Sequence, residues 1–419
     1  MLRIAALVTA AAVALAACGG GSGTGSGSSA EGVSADTIKI GFVDALTGPS
    51  ASYGQPALAA ASWIFDQVNA DGGIDGRKLE IVREDDQCAA ENGVASARKV
   101  EPNVLAVIGL TCSGSAVAVR DAVAKTKNLP IISLSGGGHS AQDSGNKDFV
   151  ESAYFLSSTY DQGVAMVNMA VNKLGAKRIA VLHANDLYGQ EGEQGIMDAL
   201  KKFGMTPVAN ETVDGAAVSD TSPQALKIRE AKPDATLLFV YPTPGQAFLR
   251  QADELKVPGA RVASASLVGP QLFQALPASA LKQAYFSTVN RDVTGGPELG
   301  GIADAIKAAH PDLSFNPLWG SGAAAAELVV HALRETGDDL TRESLIKALD
   351  GSGDFSATTL AGPVTIGPDD HNAAYGLMFF QADPSAKETR LPGYWSSEPG
   401  SKAASEPPAP TSPLSGYKG

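Results

Sequence analysis

Cysteine and histidine are scarce in this chain of 419 residues, with three of the first and five of the second. Zinc ribbons and disulfide-dense scaffolds, which need clustered ligands or many bridges, are excluded. His139, His183, His310, His331 and His371 are scattered without metal-ligand spacing, so no metal is expected. Basic residues are also too few for a phosphate-binding face. Against 45 Asp and Glu stand 32 Lys and Arg, a formal net charge of −13, which argues against a nucleic-acid partner. Charged residues make up 18% and hydrophobic residues 44%, which suits a folded body rather than a disordered chain. Enzyme signatures are missing as well. There is no Gly-x-Ser-x-Gly elbow, P-loop or His-x-x-x-His helix, and the glycine runs 19–28 and 136–138 lack dinucleotide-fingerprint context. No catalytic residue and no cofactor are expected, and the chain is read as a non-enzyme.

One long apolar run is present, at Ile4–Ala17, after a single positive charge at Arg3. It is shorter than the ~20 residues that span a bilayer and fits a signal peptide over 1–17. Its end, Leu15-Ala16-Ala17-Cys18-Gly19, resembles the bacterial lipoprotein lipobox. That implies a mature N-terminus at Cys18 carrying acyl chains. The alternative is an ordinary signal peptide cut after Ala17, with Cys18 incidental. Residues 18–36 then read as a lipidated Cys and a Gly/Ser tether. No later run reaches spanning length. The chain is expected to be exported, anchored by lipid alone to the outer face of the cell membrane or held in the periplasm.

The body is too long for one ordinary core of ~100–200 residues, so two lobes are expected. Strands are predicted at 38–43, 78–83, 104–109 and 130–133, with helices at 57–68, 91–100 and 116–127 between them. A second series has strands at 178–183, 206–213, 235–240, 261–265 and 284–289, alternating with helices at 163–173, 192–203, 222–231 and 245–255. Helices at 300–309, 322–335 and 342–349 and strand-like stretches at 361–366 and 375–381 follow; after Asp383 a disordered tail, 383–419, is predicted. This alternation predicts an α/β fold of two Rossmann-like, doubly wound lobes. Ligands of such sheets bind beyond the carboxyl ends of the strands.

Several motifs then point to a family. Leu46-Thr47-Gly48-Pro49 with Tyr53-Gly54, Asn69-Ala70-Asp71-Gly72-Gly73-Ile74-Asp75-Gly76 and Asp85-Asp86-Gln87-Cys88 are three of them. Val107-Ile108-Gly109 with Cys112-Ser113, Asp186-Leu187-Tyr188-Gly189 and Leu249-Arg250-Gln251-Ala252 complete the set. Over residues 37–382 the chain resembles the bacterial branched-chain amino-acid-binding proteins, type I periplasmic binding proteins of ABC importers. The resemblance implies two lobes joined by a hinge of three crossovers. Lobe 1 would be 37–156 plus 288–349, and lobe 2 157–287 plus 350–382. It implies a small-molecule solute and ABC permease subunits as partners, and the chain is expected to act as a monomer.

The resemblance also implies site residues. A disulfide would join Cys88 and Cys112, two free buried thiols being the alternative. Ser113 would hold a ligand carboxylate or simply cap its helix. Ser135, Gly136 and Gly137 would bring backbone close to the ligand, with His139 either a polar contact or merely exposed. Tyr53, Tyr188 and Tyr241 would form an aromatic wall with polar tips. Asp161 would be a helix N-cap or an ammonium partner. One departure stands out: family members that bind amino acids carry an acidic residue after the strand matching 261–265, whereas Ser264-Ala265-Ser266-Leu267-Val268-Gly269 has none. The predicted function is capture of an amino acid, amide or related carboxylate for an importer. The alternatives are a ligand sensor of the same fold and, less in keeping with the motifs, an exported enzyme.

Overall fold

The computed structural model describes residues 31–134, 136–267, 275–291, 302–313, 318–362, 364–372, 376–383, 387–390 and 395–396. The leader, Cys18 and Ser135 lie outside them. β1 (Thr37–Asp44) buries Ile38, Ile40 and Phe42 on one face. β2 (Lys78–Asp85), β3 (Ala106–Gly109), β4 (Ile131–Ser133) and β5 (Ala153–Phe155) join it in a parallel sheet ordered β2-β1-β3-β4-β5. β3 and β4 are buried on both faces, as a parallel sheet covered by helices requires. β5 was not expected; its three residues are too few to show a period.

Two helices far apart in sequence pack together on this first sheet. Ala51–Ala70 buries Ala57, Ala60 and Ala61, and Leu318–Thr336 buries Ala323 through Ala326. The small side chains bring the backbones together. A Cβ on Gly322 would lie 2.2 Å from the Ala57 carbonyl oxygen, so only glycine fits. Arg342 pins the next helix, Arg342–Asp350, to the same lobe: its Nη1 meets Glu101 Oε1 at 2.9 Å and its Nη2 donates to the Val104 carbonyl at 3.0 Å.

The segment after residue 350 was expected in lobe 2, but most of it packs on lobe 1. β11 (Gly353–Phe355) and β12 (Val364–Ile366) pair antiparallel. The Phe355 ring stacks on His331, and Thr358 N–H donates to Glu327. His371 stacks on Tyr154 at 4.2 Å, and its carbonyl accepts the Phe155 N–H. Such packing is set by contacts between residues distant in sequence, which local pattern does not carry.

The second sheet runs β14-β13-β10-β9-β8-β6-β7. β6 (Ile179–Ala184), β7 (Ala209–Val213), β8 (Ala235–Phe239), β9 (Ala260–Ala263) and β10 (Ala284–Thr288) are parallel; β13 (Gly376–Asp383) is antiparallel to β10. The stretch expected to be disordered contributes two short strands. β14 (Lys387–Arg390) and β15 (Trp395–Ser396) both pair with β13. β14 reads Lys-Glu-Thr-Arg, so it has no hydrophobic signal and is held by backbone hydrogen bonds at a sheet edge. The chain passes between the sheets after β5, after β10 and before β13. This is the expected α/β fold of two doubly wound lobes with three crossovers.

Glu327 is a fully buried carboxyl on the Leu318–Thr336 helix. Oε2 accepts the Thr358 N–H at 2.8 Å, while Oε1 has no hydrogen-bond partner among the described residues. Burial pushes its pKa from 4.5 up to about 7. An unfolded chain therefore releases this proton near pH 4.5, and the folded protein holds it to about pH 7. Stability falls as pH rises through that window and is then level. At about 1.36 kcal/mol per pKa unit the penalty above pH 7 is on the order of 3 kcal/mol. Glu327→Gln is expected to stabilise the protein more at pH 8 than at pH 5. Urea melts at both pH values would contradict this if the gain were equal.

Candidate functional site

The carboxyl ends of both sheets face one cleft. From lobe 1 come Thr111, Cys112 and Ser113 after β3, Leu134 after β4, Tyr53 on the Ala51–Ala70 helix and Ser321 on the Leu318–Thr336 helix. From lobe 2 come Tyr188, Tyr241, Ala265, Ser266 and Gln162, with Ser157 and Val289 at the crossings. The described lining is apolar, aromatic and hydroxyl-bearing and includes no charged side chain.

The lobe 2 wall is built around Tyr188. Its ring lies 4.7 Å from Phe239 and 5.2 Å from Tyr241. Its hydroxyl bonds Ser264 Oγ at 2.7 Å and Ser266 Oγ at 2.9 Å. The two serines thus stand where the sequence departs from an acidic residue, and they serve a tyrosine. Burial lifts the Tyr188 phenol to about 12. Tyr241 donates to Asp186 Oδ2 at 2.7 Å, and that same Asp186 caps the Leu187–Lys202 helix by accepting the Gly189 N–H. One capping carboxylate therefore fixes both the helix carrying Tyr188 and the ring of Tyr241.

Across the cleft Tyr53 is 7% exposed and its hydroxyl has no hydrogen-bond partner among the described residues. Burial, then the nearby Tyr188 and Tyr241 oxygens, push its pKa well up, so it remains a donor. Ser321 is fully buried and its hydroxyl likewise has no partner among the described residues. Buried polar groups are normally satisfied, and both of these hydroxyls belong to residues of the cleft lining. Ser321 was missed from sequence because an apolar helix hides which of its small residues reaches the cleft.

Beneath Ser113 lie two buried carboxyls that sequence reasoning did not assign. Asp44 accepts the Thr111 hydroxyl at 2.7 Å; Asp86 accepts the Ser115 hydroxyl at 2.6 Å and the Cys88 N–H at 2.8 Å. Burial and then the Asp86 charge raise Asp44 to about 7, and burial raises Asp86. Cys88 and Cys112 are bonded, with Cα atoms 5.4 Å apart, as the resemblance implied. Cys112 is the N-cap residue of the Ser113–Val119 helix, so Ser113 is its first residue and not its cap.

Another expectation changes. Asp161 is not the N-cap of its helix. Ser158 caps that helix by accepting the Asp161 N–H at 3.2 Å, and the Asp161 carboxylate accepts the Asn372 amide. The run Ser157-Ser158-Thr159 offered three possible caps ahead of it. Gly136 is held at the crossing, where its carbonyl accepts the Thr159 N–H at 3.4 Å. Gly137 sits between Ser113, Leu187 and Glu191. His139 stacks on Tyr160 at 4.3 Å.

A family model described as periplasmic binding protein matches residues 37–388. The chain belongs to the periplasmic binding protein family. This periplasmic binding protein is 28% identical over 335 residues to the Leu/Ile/Val-binding protein of Escherichia coli strain K12, covering 79% of this chain and 87% of the relative. It is 28% identical over 298 residues to the Leu/Ile/Val/Thr-binding protein of Salmonella typhimurium, covering 70% and 79%. The fold is shared with the branched-chain amino acid transporter substrate binding protein of Streptococcus pneumoniae in complex with isoleucine. There the TM-score is 0.73 and the identity 21%, over 85% of this chain and 99% of that one. A fatty acid ABC transporter substrate-binding protein from Thermomonospora curvata shares it too, with a TM-score of 0.75 and 22% identity, over 90% and 95%.

Proposed function

We propose that this periplasmic binding protein captures one small amphipathic solute between its lobes, outside the cytoplasm, and delivers it to the permease subunits of an ABC importer. The observation that carries this is the buried hydroxyl of Tyr53, which has no hydrogen-bond partner among the described residues, in an apolar cleft. It faces Tyr188 and Tyr241 on the lobe that closes over it. Tyr53, Ser113, Gly137, Tyr188 and Tyr241 are the proposed contacts, joined by Ser321 and Ser266. The names of the relatives, amino-acid binders and an ABC transporter fatty-acid binder, support the same role. The test is a thermal-shift screen of purified 33–390 against amino acids, their amides and aromatic acids. A solute at a hundred times its Kd stabilises the folded state by about 2.7 kcal/mol, so a true ligand gives a clear upward shift. No shift with any compound of these classes would sink the proposal.

The leader supports a lipid anchor at Cys18, with the Gly/Ser tether holding a monomeric body off the membrane. Cys18→Ser is expected to move the protein from the membrane fraction to the released fraction. Unchanged partitioning would refute the anchor.

A further inference from the structure

Glu191 lies on the Leu187–Lys202 helix of lobe 2, but its carboxylate reaches lobe 1. Oε1 accepts the Gly138 N–H and, at 3.3 Å, the His139 N–H; Oε2 accepts the Thr159 hydroxyl at 2.6 Å. Two successive backbone N–H groups and a hydroxyl make a full donor set for one carboxylate. Arg120 adds positive charge behind the loop. A Cβ on Gly138 would fall 2.6 Å from its Nη1, which is buried and without a hydrogen-bond partner among the described residues, while its Nε pairs with Asp121 at 2.8 Å. The site abuts the cleft, since a Cβ on Gly137 would lie 3.0 Å from Glu191 Oε2 and 3.1 Å from Ser113 Cβ.

We propose that Glu191 fills, from within the chain, an anion site built by the lobe 1 glycine loop, and that the cleft thereby selects solutes whose polar end is uncharged, such as primary amides. The inference rests on the solute-binding reading above. A ligand carboxylate beside Ser113 would find the loop donors taken and a protein carboxylate next to it. No charged side chain of the described lining would compensate, and burying an unpaired charge is costly. An amide carbonyl needs only the waiting hydroxyls of Tyr53 and Ser321, and its NH2 group can donate to hydroxyl oxygens of the wall.

The test uses matched pairs, isovaleramide with isovalerate and phenylacetamide with phenylacetate, titrated calorimetrically into the full chain. Wild type is expected to bind each amide at least about tenfold more tightly than its acid. Glu191→Ala empties the anion site, so the acid gains about tenfold relative to the amide. Acetate at tens of millimolar, against chloride of equal ionic strength, is expected to raise the melting temperature of Glu191→Ala but not of wild type. Glu191→Gln keeps the side-chain shape, guards against a folding failure of the alanine variant, and is expected to narrow the acid–amide gap in the same direction. If acids bind wild type as tightly as amides, or the ratio survives both substitutions, the inference is wrong and the solute-binding reading stands. If no probe binds any of the three proteins, the inference is wrong, and the wider screen decides the solute-binding reading.

Discussion

Cys112→Ser is expected to lower the unfolding free energy by about 3 kcal/mol, the chain-entropy value for a loop of this size. The bond joins residues 24 apart, and without it the unfolded chain regains that loop's freedom. The effect is not only on the unfolded state. Cys88 takes a left-handed backbone, φ 62°, in a turn whose N–H groups are held by Asp85 and Asp86. The bond ties that turn to the N-cap of the helix that begins at Ser113. Cys88→Ser, Cys112→Ser and the double substitution are expected to unfold at nearly the same urea concentration, because each removes one shared bond. Wild type in reductant should join them. Urea midpoints within error of oxidised wild type would show that the bond contributes nothing.

Tyr188→Ala is the binding counterpart. It removes the ring packed on Phe239 and Tyr241 and leaves Ser264 and Ser266 facing the gap. A buried aromatic anchor of this kind is worth at least ~2 kcal/mol in binding, about thirtyfold in affinity. Tyr188→Phe tells a different story. Ser264 and Ser266 already bond each other at 3.0 Å, so losing the phenol oxygen is expected to change affinity by less than about threefold, an ordinary net hydrogen-bond effect. Tyr53→Phe inverts the pattern. Its hydroxyl has no hydrogen-bond partner among the described residues, so the phenylalanine is expected to raise ligand-free stability while weakening binding by about tenfold. Calorimetry on the solute found by screening separates the three. Equal affinities for wild type and Tyr188→Ala would place the ligand elsewhere.

Much of this was legible because repeated local patterns announce it. Buried runs such as Val104–Gly109 mark parallel strands, and Tyr188 and Tyr241 stand just after predicted strands, where a cleft forms. What escaped depends on pairing across distance. Residues 353–372 read the same whichever lobe they cover, and only contacts such as His371 on Tyr154 place them. Glu191 looks like any acidic residue on a polar helix until the glycine loop arrives from the other lobe. Asp44 ends β1 and Asp86 follows β2, places where a solvated carboxylate is ordinary; burial under Thr111 and the helix after Cys112 makes them internal. Asp161 fits a helix first turn equally well as cap or as third residue, and Ser158 decides it.

The triple passage between sheets also governs how the molecule can be made. The first sheet has all its strands by Phe155, yet the Leu318–Thr336 helix that covers it comes much later. β10 of the second sheet waits for β13, which ends at Asp383. A nascent chain that has emerged only as far as β10 therefore has two half-covered sheets and no finished lobe. Contacts so distant in sequence form slowly. Neither lobe can therefore complete its packing until almost the last described strand has been synthesised.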